Sequence, residues 1–352
     1  MSDQEHFEEE EFTTQFNGQT IRRIVQQGLA HWPLMLGYLL CIALLAVLES
    51  YFTYLSKLII DDGILAGDKE ALWRIISQYM ALTIAQAALV FGFITSAARL
   101  GERVQYDLRQ KMFARLQELP LSYFNHTPVG WLMSRLTSDV GRVGELVSWG
   151  ILDTVWGVLN IVASLAFMLY INWRMGLIVA LIIPALVVVA SLFQKKILLE
   201  YRQVRKMNSK VTGSYNEGIT GVRVIKSLRR EEENLDEFGN LTSQMYRAAF
   251  RAAWLSALFL PTVQLISALG VGSIIWYGGW QFQTGSMTIG GIQAFVSYIT
   301  FMLFPVQEMA RVYAEMQQAI ASGERIFSLI DAVPEIQDRE GAFDPGTIRG
   351  DI

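Results

Sequence analysis

Six apolar stretches, at residues 32–54, 75–98, 151–170, 173–193, 255–277 and 289–312, are separated by polar intervals of very uneven length. Covering about 30 Å of hydrocarbon at 1.5 Å per residue takes roughly 20 apolar residues in a helix, and each stretch meets or nearly meets that length. Three connectors are short, at 61–72, 171–172 and 278–288. The other two, 99–150 and 194–254, are each about as long as two helices. The pattern predicts an all-α membrane protein with six transmembrane helices and its polar bulk on one face.

The long connectors carry helical signals of their own. Between residues 99 and 119 there is no proline, Gly101 is the single glycine, and Val104, Leu108, Met112, Leu116 and Leu119 recur at helical spacing. The second apolar stretch is therefore expected to continue unbroken as one long helix. Pro120 and the run Asn125-His126-Thr127-Pro128 interrupt it, because proline lacks an N–H donor and clashes with the preceding turn. A short helix over 129–136 follows. In the second connector, helix is expected over 194–214, a glycine-punctuated break over 213–221, and helix again over 222–254. Two long hairpins result, each with a short helix at its tip. Arms of some 20 residues reach about 30 Å. Ahead of the first stretch, residues 19–31 place Ile21, Ile24, Val25 and Leu29 against Arg22, Arg23, Gln26 and Gln27, the pattern of an interfacial elbow helix with His31 at the membrane border.

Charge sets the orientation. The long connectors hold Arg99, Arg103, Arg109, Lys111 and Arg115, then Lys195, Lys196, Arg202, Arg205, Lys206 and Lys210, while the first short connector holds Asp61, Asp62, Asp68 and Glu70. Lysine and arginine favour the cytoplasmic side, so the N-terminus and both hairpins are expected there. Trp32, Trp73, Trp173, Tyr277 and Trp280 sit near stretch ends, as an aromatic belt requires. The chain is 52% hydrophobic and 18% charged, and its net charge of -4 indicates no nucleic-acid partner. Residues 1–18, with Glu5, Glu8, Glu9, Glu10 and Glu11, lack a signal peptide's pattern and read as a disordered acidic tail. Cys41 excludes an intrachain disulfide framework and reads as packing. Histidines at 6, 31 and 126 have no metal-ligand spacing, and no catalytic constellation is visible.

Three runs carry a resemblance. The first is Leu116-Gln117-Glu118-Leu119-Pro120-Leu121-Ser122-Tyr123-Phe124, then Pro128-Val129-Gly130 and Ser134-Arg135-Leu136-Thr137-Ser138-Asp139-Val140. The second is Asn216-Glu217-Gly218-Ile219-Thr220-Gly221-Val222-Arg223-Val224-Ile225-Lys226, then Glu231. The third is Gly285-Ser286-Met287-Thr288-Ile289-Gly290, then Ala294-Phe295, Tyr298, Pro305, Gln318 and Ala321-Ser322-Gly323-Glu324-Arg325-Ile326-Phe327. In this order around six apolar stretches, they resemble the transmembrane domain of a type IV ABC exporter, the bacterial multidrug and lipid half-transporters. The resemblance implies the type-1 ABC transmembrane fold over 19–331, a domain-swapped dimer with a second copy or a paralogue, and ATPase domains that bind ATP and Mg. It also implies outward movement of hydrophobic or amphipathic drugs or lipids by alternating access. An importer, a ligand-gated channel or a non-transporting membrane sensor on the same scaffold is the alternative.

No Gly-x-x-x-x-Gly-Lys-Ser/Thr loop occurs in the chain, so no cofactor site is expected in it and this polypeptide alone should not hydrolyse ATP. Residues 332–352 resemble a linker and the truncated start of the ATPase domain; a separate ATPase chain is the other possibility. By the same resemblance, Thr127, Pro128, Val129, Gly130, Trp131 and Arg135, with Tyr215, Asn216, Glu217, Gly218 and Gly221, are expected to contact the ATPase domain. Trp131 is expected to be exposed at its tip unless that partner covers it.

Polar groups inside the apolar stretches nominate a substrate cavity. A carboxylate in the hydrocarbon region costs roughly 2.5–3.5 kcal/mol on insertion scales, so it faces a cavity or a partner. Glu49, beside Tyr51, Phe52 and Tyr54, is either a cavity group for cationic amphipaths or a carboxylate hydrogen-bonded between helices. Glu308, with Gln307 after Pro305, is either a cavity group or interfacial; Asp153 is a weaker candidate, and Gln264 could equally bond another helix. Phe295, Tyr298, Phe301, Met302, Pro305 and Met309 recur every three to four residues and form one face, suited either to varied hydrophobic ligands or to helix packing.

Overall fold

The computed structural model describes residues 18–333, except the side chains of residues 306, 307, 309, 310 and 314. The expected acidic tail and most of the expected linker, like the side chains of Gln307 and Met309, lie outside that set. The described residues form helices and short turns, without strands. α1 is Gly18–Leu29, α2 Trp32–Leu58 and α3 Lys69–Glu118; α4 is Leu121–His126, α5 Val129–Ser134, α6 Val140–Glu145 and α7 Ile151–Ile171. α8 is Trp173–Thr220, α9 Val222–Ser227, α10 Glu231–Gln283 and α11 Ile289–Ile330. Wider π-helical turns extend α2 over Ile59–Leu65 and join α5 through α6 to α7.

By length and composition, five helical runs are long and apolar enough to cross a membrane. The sixth apolar segment, Ile289–Pro305, is shorter and opens the 42-residue α11. The protein is therefore a multi-pass membrane protein. α3 has 50 residues, about 75 Å at helical rise, so the unbroken extension expected from the sequence is present. Two expectations are corrected. The first short connector is largely helical, because the turn at Ile59–Leu65 carries α2 to within a few residues of α3. The break expected over 213–221 is confined to Gly221: α8 runs straight through Gly213 and Gly218, since an isolated helical glycine costs only about 1 kcal/mol.

Side chains reaching across short turns set several helix starts. Asp68 Oδ1 accepts from the backbone N–H groups of Glu70 and Ala71 at 2.9 and 3.1 Å. Asn172 Oδ1 accepts from those of Arg174 and Met175 at 3.1 and 3.2 Å. Each satisfies donors that a helix start leaves unpaired.

The chain divides into two compact units. Among the described residues, the first comprises 18–42, 88–155 and 312–333. Its core gathers Leu100, Val104, Leu108, Met112 and Leu116 of α3 with Leu132, Val140, Val143, Val147, Ile326 and Phe327. The helically spaced stripe read from the first long connector is thus the buried face of α3. Close approach is permitted at Gly101, where an added Cβ would lie 3.0 Å from Ser148 Oγ. The second unit comprises residues 43–87 and 156–311. There Met168, Met175, Val179, Ile274, Phe295, Tyr298 and Met302 pack together, and the polar halves of α8 and α10 run side by side to the turn at α9.

That turn holds Arg229 at φ 55, the one described non-glycine residue with positive φ. The left-handed region costs an L-residue about 1–2 kcal/mol. Arg229→Gly is expected to stabilise the hairpin by about 1 kcal/mol, read as a higher unfolding midpoint; an unchanged or lower midpoint would show that the arginine side chain offsets the strain.

Candidate functional site

In the first unit, the tip of the first hairpin is built on a buried charge cluster. Asp139 is 2% exposed and receives Arg325 in a forked contact, Nε to Oδ2 at 2.9 Å and Nη2 to Oδ1 at 2.6 Å. Ser322 donates to Oδ1 at 2.9 Å. Arg135 and Arg142 approach the same carboxylate at 3.5 and 3.7 Å. Helical spacing places Arg135 and Arg142 beside Asp139, while Ser322 and Arg325 arrive from α11. This carboxylate joins the hairpin tip to the far end of α11.

The same end of α11 is held by α1 and α3. Arg23 pairs with Asp331 (Nη2 to Oδ1, 2.9 Å) and its guanidinium lies 4.0 Å from the centroid of the Phe327 ring. Arg115 donates from Nε to the Ile330 carbonyl at 2.9 Å, and Lys111 reaches Gln27 at 2.6 Å. His31 meets Asp107 of α3 at 2.8 Å, so this border residue ties α1 to α3. Hydrogen bonding from Arg23 holds the Asp331 carboxyl below its usual range, with burial opposing. The pair's contribution is complete above the ordinary carboxyl pKa of about 3.9 and is lost as pH falls through the depressed folded value. With Asp331 more than half exposed, that contribution is at most about 1 kcal/mol. Asp331→Asn is expected to lower hydrogen-exchange protection of α1 at neutral pH, and the difference from the unaltered chain should vanish in strong acid.

The residues expected to contact an ATPase domain divide by environment. Val129 is exposed, with Pro128 and Gly130, but Thr127 and Arg135 are buried. Trp131 departs from expectation: it is half-buried, packs on the first unit's core and lies under the Arg135 guanidinium at 4.0 Å. A cation over an aromatic face is favourable, and the tryptophan is covered by that guanidinium and by core residues of its own unit. A small cavity of about 280 Å³ around α4 is lined by Leu119, Pro120, Ser122, Tyr123, His126 and Thr127, with Val333. Burial raises the Tyr123 phenol there.

The second hairpin's tip is open. Tyr215, Asn216 and Glu217 are exposed, Gly218 and Gly221 half-buried, and the Tyr215 ring packs against Phe238 at 4.7 Å. Gly221 N–H donates to the Glu217 carbonyl at 2.7 Å, closing α8. Clefts of about 290 and 390 Å³ flank α9. Ile219, Val224 and Leu228 stand 73%, 60% and 62% exposed around them, an apolar tip without cover from the described chain.

The membrane-embedded candidates of the second unit are rearranged by the structure. Phe295, Tyr298 and Met302 are buried among α7, α8 and α10 residues, and Tyr298 donates to the Ser50 carbonyl at 2.7 Å. That face of α11 is packing surface; of the expected stripe Phe301 is exposed. The open face is the adjacent one, where Gln293, Val296, Ser297, Thr300, Phe301 and Phe304 line a cleft of about 490 Å³. Its polar members were missed because they are uncharged and lie between the aromatics along the sequence. Gln264 is exposed on α10. Glu308 is paired with Arg311, one helical turn on, at 2.7 Å. Glu49 accepts from Trp156 Nε1 and Asn160 Nδ2 of α7, both at 3.0 Å to Oε2, the interhelical alternative of the two readings. Trp156 in turn packs edge-on against Phe301 and Phe304.

This architecture defines a polytopic α-helical membrane domain whose polar segments gather in two helical hairpins. A family model described as the ABC transporter transmembrane region matches residues 35–306, and the chain belongs to that family. It is 28% identical over 318 residues to the ATP-dependent lipid A-core flippase of Bordetella avium, covering 90% of this chain and 54% of that protein. It is 25% identical to the flippase of the same name from Syntrophus aciditrophicus, over 92% of this chain and 54% of that protein. An uncharacterized ABC transporter ATP-binding protein of Bacillus subtilis, YknV, is 26% identical over 84% of this chain and 49% of its own length. The chain thus spans about half the length of these relatives.

Proposed function

We propose that this chain is the membrane-spanning part of an ATP-driven exporter that moves lipids or other amphipathic compounds out of the cytoplasm or the inner leaflet by alternating access. It would lie in a bacterial inner membrane with both hairpins in the cytoplasm, paired with a second half-transporter. ATP and Mg would be bound by the ATPase domains. The observation that carries this reading is the open face of α11: Gln293, Ser297 and Thr300 alternate with Phe301 and Phe304 around one cleft. Polar side chains on a membrane-spanning helix favour a cavity over lipid, and aromatic rings beside them suit a ligand with both a polar and an apolar part. The relatives named as lipid A-core flippases support a lipid cargo. At the other end, exposed Ile219, Val224 and Leu228 give an ATPase domain an apolar surface to grip.

The test is transport by the protein isolated with its ATPase from its own membranes and reconstituted in inverted vesicles. ATP-dependent accumulation of a fluorescent lipid or amphipathic dye is expected, and Ser297→Leu with Thr300→Leu should lower it at least tenfold while ATPase activity persists. Accumulation confined to right-side-out vesicles would turn the reading to an importer, and saturable binding without movement would turn it to a sensor.

A further inference from the structure

The polar seam between α2 and α7 has an arithmetic of donors and acceptors that does not close as long as Glu49 is ionised. Asn160 is fully buried at 0% exposure, and its side-chain oxygen Oδ1 has no hydrogen-bond partner. Its other end is engaged, since Nδ2 donates to Glu49 Oε2 at 3.0 Å. That bond fixes which end of the amide faces the carboxyl, because the reverse orientation would set two acceptors against each other. Trp156 Nε1 donates to the same Oε2 at 3.0 Å. Both donors converge on one carboxyl oxygen, and Asn160 Oδ1 is the acceptor left buried and unserved. An ionised carboxylate can only accept, as can an amide oxygen. Buried acceptors without donors are rare in folded proteins.

None of the neighbouring hydroxyls reaches Asn160 Oδ1. The Ser50 and Ser164 hydroxyls bond each other at 3.1 Å. The Tyr298 hydroxyl of α11 is committed to the Ser50 carbonyl at 2.7 Å. On α2 itself, the Tyr51 hydroxyl accepts from Gln78 at 2.9 Å, and Tyr54 stacks with Tyr51 and meets Tyr170 edge-on. Cations that could neutralise the carboxylate are engaged elsewhere: Lys57 with Asp61 at 3.0 Å and Arg311 with Glu308 at 2.7 Å.

We propose that Glu49 and Asn160 together form a proton-binding site. The proton, taken from solvent, sits on Glu49 Oε1 and is donated to Asn160 Oδ1, while Asn160 Nδ2–H donates back to Oε2. One proton thereby neutralises the carboxylate and supplies the donor that the buried amide oxygen lacks. The terminal torsions of both side chains are broad, so the two oxygens can be aligned without moving either helix. Glu49 is only half-buried, which gives the proton a way in. Trp156 links the site to the open face of α11 through its ring contacts with Phe301 and Phe304, at centroid separations of 6.3 and 5.9 Å. The proposal does not depend on the exporter reading.

Infrared difference spectroscopy of the full chain in lipid nanodiscs tests it without any transport measurement. At neutral pH the unaltered chain should show a protonated-carboxyl stretch, sensitive to deuterium exchange, that is absent in Glu49→Gln. Asn160→Ala should shift or abolish that band, and Trp156→Phe should retain it. Glutamine reproduces the donor and acceptor pattern of the protonated acid, so Glu49→Gln should unfold at the same midpoint as the unaltered chain at a pH below the ordinary glutamate pKa of about 4.3. It should also lose the drop in midpoint that the unaltered chain shows on raising the pH. A carboxylate spectrum at neutral pH, unchanged by Asn160→Ala, would overturn the proposal and leave a bound water as the partner of Asn160. The Asn160→Ala and Trp156→Phe spectra keep the test decisive even where Glu49→Gln does not fold.

Discussion

Asp139→Asn is expected to destabilise the chain by about 3–5 kcal/mol, the loss typical of removing one partner from a buried ion pair. The size follows from what remains. Arg325 loses the anion to which its two nitrogens donate at 2.9 and 2.6 Å, and Arg135, 4% exposed, keeps its charge in the same cluster. Asparagine fits the space but cannot neutralise either guanidinium. Removing a buried cation with the anion leaves less charge uncompensated, so Asp139→Asn combined with Arg325→Gln should lose clearly less than the sum of the single losses. Denaturant unfolding of the four proteins in one detergent measures this, and strict additivity would show that the forked contact carries no coupling. Asp139 ties the first hairpin's tip to the last turns of α11, and Arg23, Arg115 and Asp331 fasten that end to α1 and α3.

Much of this was legible from the sequence because it depends on local pattern. The stripe Val104, Leu108, Met112, Leu116 announced both the continuation of α3 and its buried face, since a helix repeats its faces every three to four residues. Pro120 and Pro128 located the first tip for an equally local reason. What the sequence left open was the partner across the fold. Arg135 and Arg142 stand at helical spacing from Asp139, but Arg325 lies 186 residues away, and no periodicity points to it. Trp131 failed as an exposed residue because its cover comes from the Arg135 guanidinium and core residues of its own unit. Phe295, Tyr298 and Met302 failed as a cavity face for a related reason. An apolar face on a membrane helix reads alike whether it meets another helix, lipid or a ligand, and the polar positions Gln293, Ser297 and Thr300 marked the open side instead.

Gly290→Ala should have the second large effect, a loss of about 1–3 kcal/mol, in the range of overpacked buried sites. The start of α11 is capped from a distance: Asp61, in the π-helical turn after α2, accepts from Gly290 N–H at 2.8 Å and from the Thr288 hydroxyl at 2.6 Å. Lys57 completes the junction at 3.0 Å from Asp61. A Cβ on Gly290 would stand 2.5 Å from the Lys57 carbonyl oxygen and 2.7 Å from Asp61 Oδ1. The first of these is backbone and cannot rotate away, so relief requires separating the end of α2 from the start of α11. Asp61→Asn retains an oxygen to accept from Gly290 but gives up the charge facing the largely buried Lys57, so a cost of comparable size, about 1–3 kcal/mol, is expected. The ordering decides the matter. Unfolding midpoints that fall in the sequence unaltered, Asp61→Asn, Gly290→Ala would establish close backbone approach as what holds this junction. A larger loss for Asp61→Asn would assign that role to the charge on the cap.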